Sequence, residues 1–185
     1  MRHRLFTGLA LPSELRSKIV ELRSKIPYDL DWEKPEKLHL TLNFLGNVTD
    51  DHLPHLLPVL TKSLNQQPSQ KIHFGFLQTI YRRHEGSFLC LSPDQEAIDL
   101  VNLQKQLKDA VYHLGVPVAD RFWPHLTIAR IPKADPVSTK TLLDKIDGLD
   151  LKVRFTWEVD SIILYESKND RSGTHYSRFT SYPLI

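Results

Sequence analysis

Leu38-His39-Leu40-Thr41-Leu42 and Pro124-His125-Leu126-Thr127-Ile128 are near copies, each reading His, apolar, Thr, apolar inside an apolar run. At the two-residue period of a β-strand, His39 and Thr41 share one face while Leu38, Leu40 and Leu42 fill the other. His125 and Thr127 pair in the same way. One such unit is what a structural or solvated histidine looks like. Two of them in one small chain predict a paired acid/base site, one strand coming from each of two related lobes.

Around the first copy, residues 3–11 are β-like, and Ser13 opens an amphipathic helix carrying Leu15, Ile19, Leu22 and Ile26. The first His-Thr strand, about 38–45, should end at Gly46. Thr49-Asp50-Asp51 can cap a helix bearing Leu53, Leu56, Leu57, Leu60 and Leu64. Pro54 suits its first turn, whereas Pro58 should kink or shorten it. Strands are expected at about 71–81 and 87–91, with Glu85-Gly86 near the turn.

Around the second copy, Ser92-Pro93-Asp94-Gln95 reads as a capping-box start to a helix with Leu100, Leu103, Leu107, Val111 and Leu114 on one face, stopped by Gly115. Asp135-Pro136 can start a shorter helix ending near Gly148. Residues 151–166 and 175–184 read as closing strands around a polar turn, 167–173. Hairpins mixed with helices predict an α+β fold, not a doubly wound parallel sheet. The expectation is one domain, 1–185, with two lobes and the histidines facing each other across a cleft.

Composition bounds the function. At 185 residues the chain can bury a real core. Cys90 is the only cysteine, so no intrachain disulfide can form, and a reducing cytoplasmic setting is expected. The N-terminus lacks the apolar stretch of a signal peptide, and no run reaches transmembrane length. A net charge of +2 does not predict coating of long nucleic acid. Neither motif offers a second metal ligand at its Thr position, so no metal is expected. Lys145-Ile146-Asp147-Gly148 matches the adenylated-lysine signature of nucleotide-dependent ligases, but too little chain comes after it for their fold. Gly148 reads better as a helix stop.

The pair supplies a reason for its own arrangement. Hydrolysing a phosphodiester takes a base to deprotonate water and an acid to protonate the departing oxygen, and imidazole does either near neutrality. Each Thr hydroxyl can donate to a non-bridging oxygen as charge develops.

These residues resemble the two-histidine phosphoesterases, specifically the RNA 2′,3′-cyclic phosphodiesterases historically called 2′-5′ RNA ligases. The resemblance runs through Arg4-Leu5-Phe6, Asp31-Trp32, 39–46, 123–130, 164–167 and 173–176. It implies a bilobal fold with pseudo-twofold symmetry, two antiparallel sheets with flanking helices, and a cofactor-free, metal-independent site between the lobes. His39 would be the acid expelling the ribose O3′ and His125 the base, leaving a 2′-phosphate. Thr41, Thr127 and Arg130 would hold the phosphate. Weak ATP-independent 2′-5′ ligation would share the same transition state. The implied partners are RNA ends or oligonucleotides bearing a 2′,3′-cyclic phosphate, met by a monomer with no protein or membrane partner. The alternatives are a cyclic phosphodiesterase of small nucleotides and a non-catalytic module that binds RNA ends or nucleotides.

Strand parity bears on two of these residues. Arg130, five residues after His125, points away from it on a regular strand and reaches phosphate only if the strand bends or ends first. Phe44, which the resemblance would stack on a base, falls on the Leu40 and Leu42 face, where core packing is expected. Further candidates for RNA contact are Arg82, with Arg83 and His84, then Arg121, Lys168 and Arg171, and the aromatics Tyr81, Trp123 and Tyr176.

Overall fold

The structure is a computed structural model that describes residues 1–65, 67–84, 86–94, 97–116, 118 and 122–185. Nine strands and four α-helices are found among these residues: β1 (Arg2–Ala10), α1 (Ser13–Arg23), β2 (Asp31–Trp32), β3 (His39–Thr49), α2 (Leu53–Leu64), β4 (Gln70–Ile80), β5 (Phe88–Pro93), α3 (Ile98–Tyr112), β6 (Leu126–Arg130), α4 (Pro136–Asp147), β7 (Phe155–Val159), β8 (Ser161–Asp170) and β9 (Gly173–Pro183).

The strands form two antiparallel sheets, one in the order β3-β1-β8-β9, the other β2-β6-β5-β4-β7. The expected α+β, bilobal architecture holds, and its internal symmetry is explicit. β3, β1, β8 and β9 match β6, β5, β4 and β7, with β2 added outside β6. In each lobe the His-Thr strand pairs with the strand that precedes it across a helix: β1-α1-β3 in one, β5-α3-β6 in the other.

The lobes are not successive halves of the chain. β2 lies between β1 and β3 in sequence yet pairs with β6, and the segment expected as one strand over 151–166 is two strands in different sheets. The chain breaks at Asp160, between β7 and β8.

Most helices obey the apolar period that predicts them. Leu15, Ile19 and Leu22 of α1 are buried, as are Leu100, Leu103, Leu107 and Val111 of α3. α4 is capped as its sequence suggests, with the Asp135 carboxylate accepting from the N–H groups of Val137 and Ser138. Gly148 stands after α4 as its C-cap, and the Asp147 carboxylate of the ligase-like tetrapeptide accepts from the Thr79 hydroxyl.

Other boundaries differ. α2 runs past Pro58, whose missing N–H forfeits only the bond to the Pro54 carbonyl in the first turn. His52 is its N-cap and makes no side-chain cap bond. Ser92 does not cap α3: β5 continues to Pro93, the Asp94 N–H donates to the His73 carbonyl, and the helix begins at Ile98. Strand pairing with β4 wins over the local helix signal, and Gln95 lies outside the described residues. β3 continues through Gly46 to Thr49, Gly46 taking the left-handed conformation at φ 69°.

One apolar core joins the lobes, and a buried amide pair helps to tie them. Gln104 of α3 donates from Nε2 to Asn43 Oδ1 at 2.7 Å, and Asn43 Nδ2 donates to the Gln104 carbonyl at 3.3 Å. None of the helices among the described residues is long and apolar enough to cross a membrane.

Candidate active site

The two His-Thr strands approach each other where the lobes meet, and a cleft of about 310 Å³ opens between them. His39, Thr41 and Phe44 line one wall, His125, Thr127 and Arg130 the other, with Arg82 and Tyr176 at its edges.

Each imidazole is held by the same local device. His39 Nδ1 lies 2.7 Å from the carbonyl of Lys37, and His125 Nδ1 lies 2.8 Å from that of Trp123, in both cases two residues upstream. A carbonyl only accepts, so Nδ1 carries the hydrogen and Nε2 is the nitrogen left to the cleft. For His39 the carbonyl is positioned by a 3-10 turn, Pro35–Lys37, just before β3. His39 Nε2 is 3.1 Å from Thr41 Oγ1. His125 sits just before β6 begins, not within the strand as its period suggests.

Aromatic rings surround both imidazoles. Phe6, Tyr165 and Tyr176 pack round His39, with centroids 5.0, 5.8 and 5.0 Å away. His125 stacks with Trp123 at 4.6 Å and Phe88 at 5.5 Å. Burial among these rings lowers both histidines below their ordinary range, partly offset by the carbonyl bonds. His125 lowers His39 further by charge repulsion, and Arg82 does the same to His125.

Phe44 and Arg130 both require correction of the strand-parity expectation, for one shared reason. Thr7 and Gly8 of β1 pair with Asn43 and Thr41, so Leu42 is an extra residue in β3. Leu89 and Cys90 of β5 pair with Ala129 and Thr127, so Ile128 is an extra residue in β6. Each bulge lies three residues after its histidine and reverses the facing of the residues beyond it. Asn43 and Leu45 therefore turn to the core, while Phe44, expected there, lines the cleft at 58 % exposure. Arg130 likewise lines the cleft beside Thr127 and pairs with Glu33, Nε to Oε1 at 3.5 Å.

Among the other candidates, Arg82 lies 5.6 Å from the Phe88 ring centroid, and Tyr176 packs edge-on to His39. Arg121 lies outside the described residues. Lys168 pairs with Glu166, away from the cleft lining. Glu33, Lys37 and Phe88 also line the cleft, although no motif marks them. Glu33 comes directly after β2, and its N–H donates to the carbonyl of Ile128, the bulged residue itself. The pairing of β2 with β6 is the signal that would have found it.

The rest of the chain offers little competing chemistry. Burial pushes the Cys90 thiol up to about 12, far from a working thiolate. No cluster of three or more His, Cys, Asp or Glu side chains suited to a metal ion is found among the described residues.

The groove between two matched antiparallel sheets holds a tautomer-fixed imidazole on each wall, and the fold that frames it recurs in other proteins. The chain belongs to the 2′-5′ RNA ligase superfamily, whose sequence model matches residues 11–171. It is 26 % identical over 179 residues to the RNA 2′,3′-cyclic phosphodiesterase of Thermotoga maritima, covering 94 % of this chain and 91 % of that one. It is 27 % identical over 194 residues to the enzyme of the same name from Thermus thermophilus, covering 98 % and 90 %. Its fold matches the crystal structure of E. coli LigT complexed with 3′-AMP at a TM-score of 0.80, 24 % identity, and coverage of 100 % and 99 %.

Proposed function

We propose that this protein hydrolyses terminal RNA 2′,3′-cyclic phosphates, the activity that names its Thermotoga and Thermus relatives. The observation that carries the reading is the matched pair of imidazoles, each with Nδ1 tied to a carbonyl and Nε2 left to one shared cleft. A lone binding pocket has no need of two such titrating groups, so catalysis is favoured over a non-catalytic end binder.

In this reading the cyclic phosphate sits between His39 and His125 in the single two-lobed domain. His125 takes the proton of a water through Nε2, and the resulting oxygen attacks phosphorus. His39, entering protonated, gives its proton to the departing O3′, leaving a 2′-phosphate. Thr41 and Thr127 donate to the non-bridging oxygens, and the Arg130 guanidinium balances the charge that grows there. The acid and base roles come from the resemblance, the local geometry of the two rings being alike. With the 5′-hydroxyl of a second RNA end in place of water, His125 takes its proton, its oxygen attacks phosphorus and His39 protonates the departing O3′, so the same groups give weak ATP-independent 2′-5′ joining. We place the enzyme in the cytoplasm, working as a monomer.

The test is hydrolysis of a short RNA ending in 2′,3′-cyclic phosphate, with EDTA present and the products resolved. A 2′-phosphate formed at undiminished rate supports the reading. Loss of activity in EDTA, restored by one divalent ion, would refute its metal-independent form.

A further inference from the structure

A second cavity, of about 260 Å³, lies where the turn between β4 and β5 meets the segment joining β6 to α4. Arg82 and Gly86 line both this cavity and the catalytic cleft, so the two are continuous. Beyond Arg82 the walls carry Arg83, His84 and Lys133. The Tyr81 ring lies against them, with Lys140 Nζ 5.3 Å from its centroid.

Among the described residues the charge here is one-sided. No carboxylate occurs among the described residues lining the cavity, and neither Arg83 nor Lys133 makes an ion pair with a described residue. Asp135, two residues from Lys133, has its carboxylate turned into the first turn of α4. Arg83 and Lys133, neither ion-paired with a described residue, stand around a concave surface beside an exposed aromatic ring, the makings of a single-strand binding groove.

Chain chemistry settles what would lie there. A nucleotide whose 2′ and 3′ oxygens are both committed to the cyclic phosphate has one covalent continuation, through its 5′ oxygen. A phosphate-binding surface continuous with the cleft therefore meets the upstream backbone. We infer that this cavity is a subsite for the phosphate and base preceding the reacting nucleotide, so that the preferred substrate is an oligonucleotide and not a cyclic mononucleotide. Arg83 and Lys133 hold the upstream phosphate, and Tyr81 stacks on the base. The inference rests on the hydrolytic reading of the cleft.

The experiment compares kcat/KM for three substrates: a nucleoside 2′,3′-cyclic phosphate, the same compound carrying a 5′-phosphate, and a trinucleotide with the same cyclic end. The wild type is expected to favour the trinucleotide by about tenfold or more, the scale of one phosphate contact plus one stacked base. In the double variant Arg83→Ala/Lys133→Ala that advantage should collapse towards one. Lys71→Ala, at the opposite end of β4, should keep it and so exclude a general loss of positive charge. An advantage that appears in full with the 5′-phosphate alone reduces the subsite to an anion pocket and overturns the base contact. A wild-type ratio near one, or a ratio that survives in the double variant, overturns the subsite itself.

Calorimetric titration with a trinucleotide ending in 3′-phosphate separates this from failure of the hydrolytic reading. The double variant should bind more weakly, with a salt dependence shallower by about 0.7 in log-log slope for each phosphate it no longer neutralises. Variant-sensitive binding without turnover of any substrate would sink the catalytic reading and leave the subsite standing. Binding that is unchanged in the double variant would sink the subsite.

Discussion

β3 and β6 present the same motif on the same scaffold, yet they build different walls. In both, a carbonyl two residues upstream fixes the imidazole, and an extra residue three positions downstream turns the fifth position into the cleft. On β3 that fifth residue is Phe44, and His39 sits among Phe6, Tyr165 and Tyr176. On β6 it is Arg130, paired with Glu33, while His125 is stacked with Trp123 and Phe88. The backbone device is duplicated and the side-chain cargo is not. One wall is equipped to stack, the other to neutralise charge, as a substrate with a flat base at one side and a phosphate at the other would require.

The comparison breaks most severely if the two imidazoles are not equivalent in weight. His39→Ala and His125→Ala should each lower kcat/KM at least about a hundredfold, the usual scale for removing a general acid or base. A loss in only one of them would make the other a bystander. Arg130→Met should cost about thirtyfold, chiefly in kcat, because its charge matters most as the phosphorane develops. Phe44→Ala should cost about fivefold, in KM, since a stacked base is held equally in ground and transition states. If both substitutions act on the same parameter, the walls do not divide the work as described.

A subtler probe is pH. Burial lowers both histidines, so each loses its proton below the ordinary value of 6.5. The base limb and the acid limb of the bell both move down, and kcat/KM should peak on the acid side of 6.5. A peak above about pH 7.5 would contradict the aromatic enclosure as the controlling influence.

The smallest effect concerns stability, at a histidine outside the cleft. His3 presents Nδ1 to Glu166 at 2.7 Å and Nε2 to Asp50 at 2.9 Å, so both nitrogens donate and the ring is held as imidazolium. Glu166 first, then Asp50, raise it above 6.5. That stabilisation is complete below 6.5 and is lost as pH rises through the raised value. His3→Gln should therefore lower Tm at about pH 6 and make little difference at about pH 9. A deficit that is constant with pH would point to packing instead of charge.

Much of the fold and of the site is legible in the sequence, and the misreadings share a cause. The His-Thr strands, α1 and the Asp135 cap of α4 come from local period and local chemistry. Strand parity puts Phe44 and Arg130 on the wrong faces because a bulge at Leu42 or Ile128 leaves no mark: both are apolar residues in apolar runs, with no glycine to flag them. The capping box at Ser92 does not form because pairing with β4, which no local window contains, carries β5 to Pro93. Glu33 escapes notice because β2 is two residues long and acquires meaning only when it meets β6.

That same short strand bears on how the protein can move. Among the described residues the chain passes from the first sheet to the second at β2, back at β3, over again at β4, and returns at β8. A hinge works when one or two threads cross its seam, and here four do. The jaw is laced shut along its length, and no single cut in the backbone would free one half from the other. The gap between the two imidazoles is thus framed by walls that the backbone ties together at four places instead of one.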